Sequence, residues 1–197
     1  MKAGVIALGV VVLLVVVVLV GGGLSYVSSK NTMVQMNEDV NQTFHQIDVE
    51  QQRRLDLIPN LVATVKGYVN EEQTVLTNIA NARAGIVAAG SSGDHAGAIQ
   101  AYKQMDIAIS PLLRLQESYP QLKSNEQFTR LTDELAGTEN RIKVARERYN
   151  KSLESYNVYV RQFPNSIWAN MAGFHYRDEY YTGDVANKVA PKVDFGK

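Results

Sequence analysis

The sequence predicts an all-α protein. It reads as an N-terminal transmembrane helix, then an elongated, mostly antiparallel bundle of three long helices, a short C-terminal helix and an irregular tail. Three observations predict this. Val5 to Val20 contains no polar or charged residue. From Val34 to Phe163 apolar residues recur with heptad spacing. Between the periodic stretches stand helix-stopping pairs such as Tyr119-Pro120 and Phe163-Pro164. The expected segments are a short N-terminal end (1–3), a transmembrane helix (4–24), a flexible juxtamembrane segment (25–33), a helical bundle (34–163), and a short helix with a tail packed on the bundle or on a neighbouring subunit (164–197).

Together with Ala3, Gly4 and Gly21 to Leu24, the opening apolar run is about 22 residues, or ~33 Å of helix, enough for a hydrocarbon core of ~30 Å. The competing reading is a cleavable signal peptide. It fits less well, because the run exceeds the usual ~7–15 residues and no A-x-A site follows. Lys2 and Lys30 flank the run almost symmetrically, so the positive-inside count leaves the side of the membrane open. Gly21-Gly22-Gly23 with Ser25, Ser28 and Ser29 reads as a swivel, and Tyr26 as an interfacial residue.

The remaining composition is that of a globular domain. The chain has 197 residues, 45% of them hydrophobic and 20% charged, and no cysteine. Zero Cys excludes disulfides, thiolate metal sites and a Cys nucleophile. Lys2 is the only charge in the apolar opening, so the rest of the chain carries 19 of the 20 basic groups and all 20 acidic ones. That balance argues against a nucleic-acid partner, which calls for a basic face.

The first bundle helix is expected over about Val34–Ala88. One heptad row is Phe44, Gln51, Ile58, Val65, Glu72, Ile79 and Ile86. The other is Asp48, Leu55, Val62, Val69, Leu76 and Arg83. Pro59 falls inside an unbroken register and predicts a kink within a continuous helix. Gly90 to Asp94 is a turn by composition. The second helix, about Ala96–Ser118, carries the stripe Ala98, Tyr102, Met105, Ile109, Leu112, Gln116 and Tyr119, with Pro111 inside it. For the third, Ser124 to Gln127 matches a capping box, followed by the row Phe128, Leu135, Ile142, Tyr149, Tyr156 and Phe163. Asn165 or Ser166 could cap a short helix bearing Ile167, Trp168 and Met171 on one side.

Several of these words resemble the LemA family. They are Ile47-Asp48-Val49, Arg53 to Val62, and Val65-Lys66-Gly67-Tyr68 near the start. In the middle come Glu117 to Lys123, with Asn125 and Phe128, and Gly137 to Ile142 with Ala145-Arg146 and Tyr149-Asn150. Phe163-Pro164-Asn165 and Pro191 to Phe195 close the chain. The resemblance spans nearly the whole sequence in order. It implies a bacterial protein with an N-terminal membrane helix and a helical bundle, without an established catalytic activity. Some relatives act in forming bacterial membrane organelles. Pro111 departs from the family pattern.

Chemical motifs are absent. His45, His95 and His175 lie one per segment, without metal-ligand spacing. No phosphate loop and no G-x-S-x-G occurs. No cofactor and no catalytic residue is expected. The informative polar residues are those inside the stripes. Asp48, Arg53, Arg54, Thr138, Glu139, Asn140 and Arg146 are expected to form a structural network, because buried unpaired charge is costly. An alternative pairs Asp48 with Glu139 for acid–base work or cation binding. Tyr149-Asn150 and Tyr156-Asn157 repeat seven residues apart, either as core tyrosines satisfied by neighbouring Asn or as an interface stripe. Trp168 either docks on the bundle or touches lipid headgroups.

The expected protein is therefore a non-enzymatic scaffold, anchored by one span in the bacterial inner membrane. Its partners are the lipid bilayer and further copies of itself. The alternative is an adaptor or chaperone-like partner of another membrane protein, such as a protease.

Overall fold

The computed structural model describes residues 2–68, 73–90 and 94–182, with side chains from residue 8 onward. Val69, Glu72, the turn at 91–93 and the closing 189–195 segment lie outside the described residues. The described elements are all helices: α1 (Lys2–Lys66), α2 (Gln73–Gly90), α3 (His95–Ser118), α4 (Pro120–Lys123), α5 (Glu126–Arg161) and α6 (Asn165–Ala172).

α1 is 65 residues long and contains Pro59 without ending there. A proline in a long helix removes one backbone bond, and the bonds on either side carry the helix past it. Leu8 and Val10 to Val20 are exposed, so this apolar length has no protein partner among the described residues. The expected flexible segment at 25–33 is corrected: it is helix throughout. Ser29 and Met33 are buried one turn apart, giving this stretch a packed face. Thr32 returns its hydroxyl to the Ser28 carbonyl at 3.1 Å, so a polar side chain is satisfied within the helix.

The expected first bundle helix is also corrected. It stops at Lys66, passes through a turn at Gly67-Tyr68, and resumes as α2. α3 starts on Asp94, whose Oδ1 accepts the Ala96 N–H at 3.0 Å, and it continues through Pro111. The cap of α5 is Asn125, not Ser124: Asn125 Oδ1 accepts the Phe128 N–H at 2.9 Å. Ser124 instead closes the small α4 turn onto the Pro120 carbonyl.

The chain divides into two compact units. The first comprises Met1–Thr43 and Lys151–Asp178. Its core is Met33 and Val40 of α1, Leu153, Tyr156, Asn157 and Val160 of α5, and Ala169 of α6. α6 ends on Gly173, which adopts a left-handed φ of 80° that residues with a Cβ rarely take. Residues 174–182 then run without regular structure. An extended segment must find partners for its backbone, and α5 supplies them. Tyr156 donates its hydroxyl to the His175 carbonyl at 2.9 Å. The Asn157 amide donates to the Arg177 carbonyl at 2.6 Å and accepts the Arg177 N–H at 2.9 Å. Arg177 in turn reaches Asn37 of α1 at 3.1 Å.

The second unit comprises Phe44–Asn150 and Glu179–Lys197. Partner numbers fall along α5 as they rise along α1: Glu50 meets Arg141, Arg54 meets Glu139, and Tyr68 meets Asn125. These helices are therefore antiparallel. On α3 the partners of Asp48 and Arg54 are Tyr102 and Asp106, so α3 runs in the direction of α1. α2 packs on α3. The described members of the Phe44 row (Phe44, Gln51, Ile58, Val65, Ile79, Ile86) are all buried, as are Phe128, Leu135, Ile142 and Tyr149 of α5. Tyr149 donates to the Glu179 carbonyl at 3.0 Å, and the Asn150 amide exchanges two bonds with Tyr181 at 2.8 and 2.9 Å.

Ile142 has no exposed surface and Val144 is 46% exposed, two residues apart on one helix. Ile142→Ala is expected to cost about 2–5 kcal/mol, and Val144→Ala to stay within ~0.5 kcal/mol. Thermal unfolding of the detergent-solubilised variants checks the contrast.

Candidate functional site

The second unit gathers charge from three helices. Arg54 of α1 is buried. Its guanidinium bonds Asp106 of α3 and lies 3.2 Å from Glu139 Oε2 of α5 as an ion pair. Arg146 of α5 donates to the other Asp106 oxygen at 3.0 Å. One carboxylate thus bridges two guanidinium groups, and two acids balance two bases. Arg146 also lies 5.0 Å from the centre of the Tyr181 ring, within cation–π range. The cluster lines an open groove of about 590 Å³ with Ser110, Arg114 and Thr132.

Beside it, Tyr102 of α3 donates its hydroxyl to Asp48 of α1 at 2.6 Å. Burial, and then the adjoining Asp48 carboxylate, push the Tyr102 phenol well above its ordinary range. Burial does the same to Tyr181, against the pull of Arg146. Both phenols stay neutral at any physiological pH; Tyr102 donates to Asp48, and the Tyr181 hydroxyl has no hydrogen-bond partner among the described residues.

The structure brings Asp48, Arg54, Glu139 and Arg146 into polar contacts, and it omits the other three predicted members of the network. Arg53 and Asn140 are exposed. Thr138 is fully buried, but its hydroxyl is spent on the Leu135 carbonyl at 2.7 Å, within its own helix. Asp106 was missed. Its signal was its place one turn beyond Tyr102, beside the α3 stripe, where a lone acid reads as surface. The acid–base pairing of Asp48 with Glu139 does not form, because Asp48 holds Tyr102 and Glu139 faces Arg54. His45 approaches Asp48 at 3.3 Å, and His95 stacks on Phe44 with ring centres 3.8 Å apart. Among the described residues no three His, Asp or Glu converge as metal ligands. Gln51 is 1% exposed, and its amide atoms have no hydrogen-bond partner among the described residues.

Of the two readings of the Tyr–Asn repeat, the structure places both tyrosines in the core. Tyr149 and Tyr156 are 0% and 2% exposed. Their hydroxyls hold backbone carbonyls of the same chain, which leaves them no surface for a partner. Trp168 is half-buried, edge-on to Tyr26 with ring centres 5.8 Å apart.

The charged cluster is a three-helix clamp, and two substitutions measure it. Asp106→Asn removes the shared anion from two guanidinium groups, leaving Arg54, with a side chain 8% exposed, to Glu139 alone, and is expected to cost about 2–4 kcal/mol. Glu139→Gln, at a side chain 47% exposed, is expected to cost less than ~1 kcal/mol. Chemical unfolding midpoints separate the two. The tyrosines set the pH dependence. Their phenols are raised in the fold, so their contribution is complete below the unfolded value of ~10 and is lost as the pH climbs beyond it. Tyr102→Phe is expected to lose about 1 kcal/mol at neutral pH, yet its melting temperature should fall less steeply than wild type between about pH 9 and 11.

A family model described as the LemA family matches residues 43–195. The chain is 28% identical over 174 residues to magnetosome protein MamQ 2 of Paramagnetospirillum magneticum, covering 77% of this chain and 64% of that protein. It is equally similar, over the same shares, to magnetosome protein MamQ of Magnetospirillum gryphiswaldense. Protein LemA of Metamycoplasma hominis is 24% identical over 146 residues, covering 74% of this chain and 64% of the relative. The chain thus spans just under two thirds of the length of these curated relatives. With the family match running from the middle of α1 to the end of the chain, this protein belongs to the LemA family.

Proposed function

We propose that this protein is a non-enzymatic scaffold, held by one span in the bacterial inner membrane, that assembles with copies of itself to organise or curve the bilayer. The observation that carries the reading is α1. Its outer length exposes Leu8 and Val10 to Val20 without a partner among the described residues. A solvated apolar face of that extent is unfavourable, and a hydrocarbon core is its natural environment. The same helix continues into the packed core around Met33 and Val40. A membrane tether raises the local concentration of copies, so weak lateral contacts suffice for assembly. The charged cluster supports the structural reading, since its acids and bases neutralise one another. Two of the relatives are named as magnetosome proteins, and a role in a bacterial membrane compartment fits an anchored helical bundle.

Purification in mild detergent from the native host, followed by mass measurement of the intact complex, tests the assignment. The expected result is a homo-oligomer. A monomer bound to a stoichiometric second protein would support the adaptor reading and contradict self-assembly. A bare monomer would contradict both.

A further inference from the structure

The first unit leaves one apolar surface open at a particular depth. α6 buries Ala169 but exposes Ile167 by 47% and Met171 by 67%, four residues apart on one helical face. Phe163, two residues before the helix, is 80% exposed. These side chains are not scattered. The Ser29 hydroxyl of α1 donates to Asn165 Oδ1 at 3.1 Å, and Tyr26 of α1 meets Trp168 edge-on at 5.8 Å. α6 is therefore fixed against α1 at residues 26–29.

That position sets the depth. The apolar run of α1 ends at Leu24. Two to five further residues of helix rise ~3–8 Å. The headgroup layer on each side of the hydrocarbon core is ~5–8 Å thick. A helix lying in the interface buries its apolar face ~5–10 Å deep. Tyr and Trp are the residues that favour this level.

Resting on the membrane-anchored reading above, we infer that α6 and Phe163 form a lipid-facing foot, which lies in the headgroup–acyl boundary beside the exit of α1 and inserts Ile167, Met171 and Phe163 into the bilayer surface. The occupant of this face is lipid, because α6 is held against α1 two to five residues beyond the end of its apolar run, at the level of the bilayer surface. The foot makes a second membrane contact next to the anchor and limits the rotation of the first unit about the α1 axis. A contact wedged into one leaflet is also what a membrane-curving protein requires.

Trp168 is the only tryptophan in the chain, so its emission reports this foot without labelling. The full-length protein is reconstituted into vesicles of phosphatidylcholine and phosphatidylglycerol, in which the phosphatidylcholine is brominated near the top of its acyl chains. Flotation of the vesicles reports the anchor, and Trp168 quenching reports the foot. The expected result is co-flotation with strong quenching, reduced at least about twofold by the double change Ile167→Asp and Met171→Asp, with flotation and melting temperature unchanged. Both positions are exposed, so the variant should keep its fold. Co-flotation without quenching, or quenching that the double variant leaves unaltered, overturns the foot and spares the anchor. Loss of flotation overturns both. The chain has no cysteine, so Met171→Cys gives a single thiol. Disulfide dimers through it in unquenched vesicles would assign the face to a second copy instead.

Discussion

A backbone amide in or beside a bilayer has few partners other than its own helix. A helix that ended at the membrane edge would strand the carbonyls of its last turn. α1 does not end there. It passes through three glycines and three serines as a single element, and the contacts of the first unit are referenced to it. Ser29 holds Asn165, Tyr26 holds Trp168, Asn37 holds Arg177, and Thr43 meets Ser152 at 2.8 Å. The depth proposed for α6 rests on that continuity. So does the reading of the anchor as a structural member and not a leash.

The second constraint is the pairing of an irregular backbone. Residues 174–182 have neither helix nor strand to satisfy them, and buried backbone groups are rarely left unpaired. α5 meets the demand twice with the same dipeptide: Tyr156-Asn157 in one unit and Tyr149-Asn150 in the other. An Asn side chain carries one amide donor and one carbonyl acceptor, and so copies the pairing of a neighbouring strand. The tyrosine hydroxyl takes a further carbonyl while its ring fills the core. Side-chain amides thus do the work of a sheet edge within an all-α protein.

Much of this was legible in the sequence because helix periodicity is local. The described members of the Phe44 and Phe128 rows are buried as their spacing foretold, up to Phe163, which turns out to solvent. The misplaced features share a cause: their partners are distant in sequence. Gly and Ser at 21–29 suggest a swivel by composition, but the burial of Ser29 and Met33 holds the helix. Heptad rows continue across Gly67, so the α1–α2 break left no mark in the period. The Tyr–Asn repeat was visible, while the segment it grips was not, since nothing local in His175 to Tyr181 announces a strap. Asp106 went unnoticed because its two arginines come from other helices.

Spin labels placed singly along residues 8–40 of this cysteine-free chain, in reconstituted membranes, test the central claim most directly. The account predicts oxygen accessibility that is high over residues 8–20 and then oscillates with a helical period of ~3.6 through residues 25–33, with minima at Ser29 and Met33. Uniformly mobile labels between residues 21 and 33 would contradict it, because the anchor would then be a tether hung on a loose hinge.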